Sequence, residues 1–201
     1  MKQELAIAED TLKLHQAKVE RIKAESNISK RFATRTFENF DVSENEKAYK
    51  ACKTYVGAEI YNTEKNGLII CGSYGTGKTH LAAAIANSLM DEGVSVLFNT
   101  YGGHLEHLKA EYNSDRPKDY LGLMCDVELL VLDDVGKEKQ SEWSESVMFE
   151  VINSRYEKMK PIIVTSNYSS TDLENYFGKA CYSRLIEMCH GIVTQGRDYR
   201  R

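Results

Sequence analysis

The sequence lacks several features that define other classes of protein. It has no apolar run of the length that crosses a membrane, and its polar, charged N-terminus is unlike a secretory signal. Five cysteines form no C-x-x-C pair, and their odd number argues against a disulfide framework or a zinc site. Internal repeats and low-complexity tracts are also missing. We therefore expect a cytoplasmic protein with reduced thiols and no membrane association.

An excess of positive charge is missing as well. The 201 residues carry 26 Lys and Arg against 30 Asp and Glu, a formal net charge of −4. This balance weighs against a large sequence-independent nucleic-acid surface. Residues 1–35 differ, with eight basic against five acidic side chains. Any contact with DNA is therefore expected to be local.

A phosphate-binding motif is the most informative feature that is present. Residues 72–79 fit the P-loop pattern G-x-x-x-x-G-K-[ST], between a short apolar run and a helical pattern. In such a loop backbone N–H groups converge on phosphate oxygens, Lys78 reaches the β- and γ-phosphates, and the Thr79 hydroxyl binds Mg²⁺. The sequence thus predicts ATP and Mg²⁺ as cofactors, with Lys78 also catalytic. The predicted nucleotide-binding residues are Gly72, Ser73, Tyr74, Gly75, Thr76, Gly77, Lys78, Thr79 and His80.

A second motif is an apolar run, residues 129–132, that ends in Asp133 and Asp134. A buried strand ending in a carboxylate predicts that Asp133 holds Mg²⁺ opposite Thr79. Asp134 is the candidate general base that activates water. Many motor ATPases carry Glu there, and the shorter Asp predicts an ATPase with slow turnover that uses nucleotide as a switch.

Two further residues complete the predicted catalytic set. Asn167 follows the apolar run at 161–165 and is placed to contact the γ-phosphate or orient water; a turn-forming Asn is the alternative. Arg184 precedes an apolar helical stretch and is a candidate arginine finger that acts in trans on a neighbouring subunit. A surface arginine is the alternative for Arg184.

The order of predicted elements indicates the fold class. Strands are predicted at 68–71, 94–98, 128–133, 161–165 and 191–195, and helices at 44–62, from the P-loop to Gly93, and at 103–113, 142–159, 171–177 and 180–189. Ser43 and Glu46 are expected to cap the helix at 44–62. Such alternation predicts an α/β protein, a parallel sheet with helices on both faces.

The N-terminal segment has a different pattern. Apolar and small residues recur at spacings of three and four over residues 1–26, which predicts one amphipathic helix; its seam is Leu5, Ala8, Leu12, His15, Val19 and Ile22. This helix either packs on its own domain or binds a partner, and its position before the nucleotide-binding region favours the partner. Residues 27–43 look irregular, with Phe32, Phe37 and Phe40 as expected anchors.

With these motifs placed, the chain resembles the P-loop NTPases of the AAA+ class. Within them it is similar to the DnaC/DnaI-type replicative helicase loaders and the related IstB-type transposition helpers. The residues that carry the resemblance, which covers about 31–201, are Arg31-Phe32, Thr36-Phe-Glu-Asn-Phe40, Leu132-Asp-Asp-Val-Gly136, Thr165-Ser-Asn167, Ser183-Arg-Leu185 and Gly196-Arg-Asp-Tyr-Arg200. Asp198 stands where the family usually has Ser.

The resemblance implies a function and a division of the chain. A loader grips a hexameric DnaB-type helicase with its N-terminal segment, self-assembles, and opens the ring onto single-stranded DNA. Here residues 1–30 would be the partner-binding helical segment, 31–43 a Phe-rich linker and 44–201 the ATPase domain. Candidate DNA contacts are Lys137, Lys139, Tyr101, His104 and Lys109.

There are departures from the family pattern and alternative functions. A zinc-binding N-terminal domain is not expected, and 17 residues after Arg184 are too few for a C-terminal helical lid. The sensor arginine of that lid would be replaced by Arg197 or Arg200. The alternatives are an IstB-like transposition helper and a small-molecule P-loop kinase; the Asn167 and Arg184 pair argues against the kinase.

Overall fold

The structure, a computed structural model, describes residues 2–112, 114 and 119–198. Seven helices and five strands lie within these residues, besides a 3₁₀ turn at Ile60–Asn62. The strands are β1 (Gly67–Gly72), β2 (Val96–Thr100), β3 (Leu129–Val135), β4 (Ile162–Ser166) and β5 (Cys189–Thr194). The helices are α1 (Lys2–Glu25), α2 (Glu46–Gly57), α3 (Lys78–Asp91), α4 (Tyr101–Tyr112), α5 (Tyr120–Asp126), α6 (Glu142–Glu157) and α7 (Ser170–Met188). None of the described helices is both long and apolar enough to span a bilayer.

All five strands run parallel in one sheet, in the order β2-β3-β4-β1-β5. Successive side chains of a strand point to opposite faces, so each strand contributes to two cores. Leu68 and Ile70 of β1 face a core formed with α1, α2 and α3, whereas Ile69 faces a core formed with α4 to α7. The predicted parallel sheet with helices on both faces is therefore confirmed.

The sheet brings polar residues to one edge. The carboxyl ends of parallel strands lie together, and in register Thr100 of β2 faces Asp133 of β3. The ladder between β3 and β4 shifts near this end, where Val135 pairs with Ser166. The P-loop, which follows β1, opens onto the same edge.

Several predicted boundaries were wrong. The predicted cap of α2 is one of them: α2 begins at Glu46, and Asn45, not Ser43, is the N-cap and makes no side-chain cap bond. The short helix α5 was not predicted. The two helices predicted near 171–177 and 180–189 are confirmed as the two arms of α7, which meet at Gly178, where the backbone is not helical (φ 73°, ψ 154°). Among the described residues no helix follows β5.

The C-terminal end of the N-terminal helix docks on the domain. Ile22 is buried in the core beside α3, and the carbonyl of Ser26 accepts a 2.7 Å bond from the backbone N–H of Phe98 in β2. Val19 is half-buried, but Leu14 is 74% exposed. Of the predicted seam, the side chains of Leu5, Ala8 and Leu12 lie outside the described residues.

Candidate functional site

The loop between β1 and α3 has the backbone of an anion-binding turn. Gly75 and Gly77 adopt positive φ (73° and 91°), and a Cβ on Gly77 would lie 2.6 Å from the Phe40 ring. Gly77 is the N-cap of the 14-residue helix α3 and offers no side-chain acceptor to its first N–H groups. A helix N-terminus of this kind directs its N–H groups and positive dipole end at an anion. The loop therefore fits a phosphate.

Lys78 is held inside this loop. Its side chain is buried, and its Nζ donates to the carbonyl oxygens of Gly72 (2.8 Å) and Ser73 (2.6 Å). An ammonium group in this position adds a point charge to the loop's N–H groups. The buried cation and the helix dipole together favour binding of a polyanion.

A hydroxyl and a carboxylate meet beside the loop. The Thr79 hydroxyl donates to Asp133 Oδ1 at 2.9 Å, and the Thr165 hydroxyl donates to the same oxygen at 2.6 Å. Asp133 is 1% exposed, and this burial raises the pKa of its carboxyl to about 6. A divalent cation would stabilise the charged form, and a hydroxyl with one carboxylate suits Mg²⁺, which keeps other positions for phosphate and water. Within the part of the chain that is described, no cluster of three or more His, Cys, Asp or Glu offers a rival metal site.

The neighbouring Asp134 has a different environment. Its φ is +60°, and its backbone N–H donates to Thr165 Oγ1 at 2.9 Å. Its carboxylate forms an ion pair with Lys137 Nζ at 2.6 Å. Thr165 thus contacts both aspartates, a role that sequence reasoning did not give it. The only sequence signal was its place at the end of a strand beside Asn167.

A cavity of about 620 Å³ lies beside these groups. The structure brings the predicted residues Lys78, Thr79, Asp134 and Asn167 together on its wall, whereas the predicted Mg²⁺ ligand Asp133 does not line it. The opposite wall comes from the linker, which sequence reasoning had treated only as an anchor. The linker residues that line it are Arg31, Phe32, Arg35, Asn39, Phe40 and Asp41.

The remaining predicted nucleotide-binding residues divide into two groups. Tyr74, Gly75, Gly77 and His80 line the cavity, and His80 Nε2 lies 2.9 Å from the carbonyl of Thr36. Gly72, Ser73 and Thr76 do not line it and instead support the loop. The buried Thr76 hydroxyl donates to the carbonyl of Ser73 at 2.9 Å.

This site occurs in a known family. The family model described as IstB-like ATP binding protein matches residues 3–201. The chain belongs to the family of IstB-like ATP-binding proteins. ATP binding is accordingly the general property of its site.

Individual relatives and solved structures show which proteins the IstB-like chain is similar to. The replicative helicase loader DnaC of Buchnera aphidicola (subsp. Schizaphis graminum) is 27% identical over 173 residues, which are 84% of this chain and 70% of that protein. A crystal structure of the DnaC helicase loader superposes with a TM-score of 0.73 at 27% identity, covering 83% of this chain and 100% of that chain. The replication initiator DnaA bound to AMPPCP and single-stranded DNA has a TM-score of 0.68 at 25% identity, covering 81% and 50%.

Arg184 of the IstB-like protein lies away from its own cavity. It is on α7, where its Nη1 donates to the carbonyl of Ala180 at 3.1 Å. Its guanidinium lies 5.7 Å from the ring centroids of both Phe149 and Tyr156 on α6. The trans-finger role of Arg184 stays a prediction. Arg197, a predicted sensor, pairs with Glu44 and does not line the cavity, and Arg200 lies outside the described residues.

Two of the predicted DNA contacts were wrong. Tyr101 and His104 are buried in the core, because Tyr101 donates to the carbonyl of Ser144 and His104 is held by Tyr120 and the carbonyl of Val131. Lys109 and Lys139 are exposed, with Lys109 Nζ 5.2 Å from the Trp143 ring centroid. Lys137 is half-exposed but is paired with Asp134.

Proposed function

We propose that this protein is an ATP-dependent loader of a hexameric DnaB-type replicative helicase, acting in the cytoplasm. The observation that carries the proposal is a cavity lined by the P-loop, Asp134 and Asn167 in a chain similar to DnaC over that structure's whole length. ATP binding and slow hydrolysis act as an assembly switch. The family match favours such a DNA-associated ATPase over a small-molecule kinase.

Nucleotide binding and hydrolysis follow from the site. The loop N–H groups and Lys78 bind the phosphates, and Thr79 with Asp133 would hold Mg²⁺, which neutralises phosphate charge. Asp134 accepts the proton of the attacking water, and Asn167 orients that water. Asp134 is shorter than Glu by one methylene and is held by Lys137, so its reach to the water is reduced. We expect a kcat below about 10 s⁻¹, the median for enzymes.

Partner binding falls to the N-terminal segment, residues 1–30. Leu14 is 74% exposed, whereas Ile22 and Ser26 are buried against the domain. The grip on the helicase therefore belongs to the part of α1 that precedes Val19. Single-stranded DNA is contacted locally by exposed lysines such as Lys109 and Lys139, and Arg184 completes the site of a neighbouring subunit.

A pull-down with a purified DnaB-type helicase tests the proposal. Leu14→Glu should abolish capture of the helicase without changing the Tm, because the side chain makes little contact with the domain. Val193→Glu is the matched control, an exposed apolar residue on the opposite edge strand β5. Absence of helicase binding by the unaltered protein would remove the loader function. Equal binding by Leu14→Glu would remove the assigned grip.

The family match also supports a second function, that of an IstB-like transposition helper. The matching family model is itself described as IstB-like. Such a helper would use the same ATPase core to remodel DNA with a transposase. Capture of a transposase of this class, but not of the helicase, in the same pull-down would favour it.

A further inference from the structure

We propose that Arg35, assisted by Arg31, binds the phosphate chain from the linker side of the cavity and makes the site prefer a nucleoside triphosphate over a diphosphate. This inference rests on the proposed nucleotide-binding function. It concerns a cation that acts in cis, on the nucleotide of its own subunit, and it is separate from Arg184. Both arginines belong to the linker segment that lies against the P-loop.

The first observation is the absence of an anionic partner. Arg31 and Arg35 line the same cavity as Lys78, and neither guanidinium forms a hydrogen bond or ion pair with any residue that the structure describes. The other cavity-lining cation, Lys137, is paired with Asp134. The cavity's remaining carboxylate, Asp41, accepts a 3.0 Å bond from the backbone N–H of Ser43. Arg31 is exposed, but Arg35 is half-buried, and a half-buried guanidinium without a partner is costly unless an anion completes it.

The second observation is that the turn carrying these arginines is fixed to α3. Asn87 Nδ2 donates to the carbonyl oxygens of Phe32 (2.9 Å) and Arg35 (2.7 Å), and Asn87 is 8% exposed. The Phe32 ring packs 5.9 Å from that of Phe98. The side chain of Arg35 takes no part in these contacts. The guanidinium is therefore presented by a rigid backbone, which reduces the entropy lost on binding.

The third observation is the position of Arg35 beside the start of α3: the carbonyl of the next residue, Thr36, lies 2.9 Å from Nε2 of His80, which follows Thr79. Burial lowers the pKa of the His80 ring, and the nearby charge of Arg35 acts in the same direction. The same cavity is lined by Asp134 and Asn167, which the proposed function assigns to the terminal phosphate and its attacking water. A planar guanidinium here can donate two parallel N–H bonds to oxygens of that phosphate.

Paired affinities for ATP and ADP, measured in Mg²⁺ by competition with a fluorescent nucleotide, test the inference. Arg35→Gln should lower the affinity for ATP about tenfold to a hundredfold, the loss expected for a charge-assisted hydrogen bond. The affinity for ADP should fall less than about threefold. Arg31→Gln should show the same selectivity with a smaller loss. Arg35→Lys should recover part of the ATP affinity, since it keeps the charge but not the fork.

Matched controls separate the possible outcomes. Arg21→Gln removes one positive charge from an exposed arginine on α1 that pairs with Glu25, and should change neither affinity. Equal losses for ATP and ADP in Arg35→Gln would overturn triphosphate selection, because the arginine would then bind a part shared by both. Unchanged affinities would place it outside the site. If the unaltered protein and Lys78→Ala both fail to bind ATP, the proposed function fails instead.

Discussion

Two adjacent aspartates at the end of β3 have opposite environments. Asp133 is buried between two hydroxyl donors, whereas Asp134 is half-buried, adopts φ +60° and pairs with Lys137. A non-glycine residue in the left-handed region costs about 1 kcal/mol or more. The backbone bond from Asp134 to Thr165 holds it in that conformation. One residue is thus arranged to hold a cation and the next to face the cavity.

Asp134→Asn should therefore remove hydrolysis but leave nucleotide binding intact. Asn keeps the size of the side chain but cannot accept the proton of water, and loss of a general base lowers kcat by about 10² to 10⁴. Phosphate release gives kcat, and equilibrium titration gives the ATP affinity. Asp126→Asn, a surface carboxylate paired with Lys158, is the control. Turnover that survives in Asp134→Asn would show that another group is the base.

His104 illustrates a buried titratable group that serves stability. Its Nε2 donates to the carbonyl of Val131 (3.0 Å) and its Nδ1 accepts from the Tyr120 hydroxyl (2.9 Å), so the neutral ring is fully bonded. Burial lowers the pKa of His104 from 6.5 to about 4. Below pH 6.5 the unfolded chain binds a proton that the folded protein does not. The stabilisation of the folded protein by neutral His104 is complete above pH 6.5 and is lost as the pH falls towards 4.

The predicted consequence is a pH dependence that His104→Gln removes. Between pH 6.5 and about 4, the free energy of unfolding should fall by up to about 3 kcal/mol more in the unaltered protein than in His104→Gln. Urea titrations at several pH values measure this difference. His107→Gln, an exposed histidine of the same helix, should keep the slope of the unaltered protein. Parallel slopes for His104→Gln would contradict the assignment.

At the scale of elements, the P-loop is tied to the end of β5. The buried hydroxyls of Thr76 and Thr194 are hydrogen-bonded at 2.7 Å. Asn45 bridges the same two segments: its Nδ2 donates to the carbonyls of Thr76 (3.3 Å) and Gln195 (2.8 Å), and its Oδ1 accepts from Gln195 N–H (2.8 Å). This explains why Asn45 does not cap α2. These hydrogen bonds hold the P-loop between the start of α2 and the chain after β5.

Thr194→Val should loosen this support without changing the shape of the residue. We expect ATP and ADP to weaken by similar factors, and the free energy of unfolding to fall by about 1 kcal/mol, because the Thr76 hydroxyl loses a buried partner. Thr194→Ser keeps the hydroxyl, so this variant should retain both the nucleotide affinity and the free energy of unfolding of the unaltered protein. Thr63→Val, which removes an exposed hydroxyl bonded to Ile60, is the comparison. If nucleotide affinity is unchanged while stability falls, the tie supports only the fold.

These contacts show which features the sequence could predict. The P-loop and the strand ending in Asp133 were predictable, because buried parallel strands are continuous apolar runs whose carboxyl ends converge. The role of Arg155 was not predictable, because in the sequence it looks like a surface residue of a helix. In the structure it is fully buried, and its guanidinium donates to the carbonyls of Met124, Val127, Glu128 and Pro161. Those bonds fix the end of α5, a helix of seven residues with no long periodic pattern. The meeting of Arg35 with the P-loop likewise depends on contacts distant in sequence.

At the scale of the whole molecule, the N-terminal helix and Arg184 lie on different parts of the fold. Ser26, directly after α1, is bonded to β2 at one edge of the sheet, and residues 13–18 of the helix are exposed. Arg184 lies on α7, which packs on the other face with α6. Under the proposed function, this separation would let one subunit bind a helicase and a second copy of itself at the same time.

Arg184→Ala tests the proposed contact of Arg184 with the nucleotide site of a neighbouring subunit. Since Arg184 does not line its own cavity, its removal should leave ATP affinity unchanged, and loss of its contact with Phe149 and Tyr156 should cost about 1 kcal/mol of stability. In the unaltered protein, hydrolysis per subunit should rise with protein concentration as neighbours assemble. Arg184→Ala should remove that rise, a change of about 10³ or more when the finger is fully engaged.

Two controls make the result specific to the guanidinium. Lys179→Ala removes an exposed cation from the same helix and should keep the concentration dependence. Arg184→Lys keeps the charge but loses the planar fork, so it should recover only part of the stimulation. Sedimentation of each variant with ATP separates lost assembly from lost catalysis. Hydrolysis that responds to concentration equally in Arg184→Ala and the unaltered protein would mean that Arg184 is a surface residue stacked on two rings of α6 and that no subunit completes another's site through it.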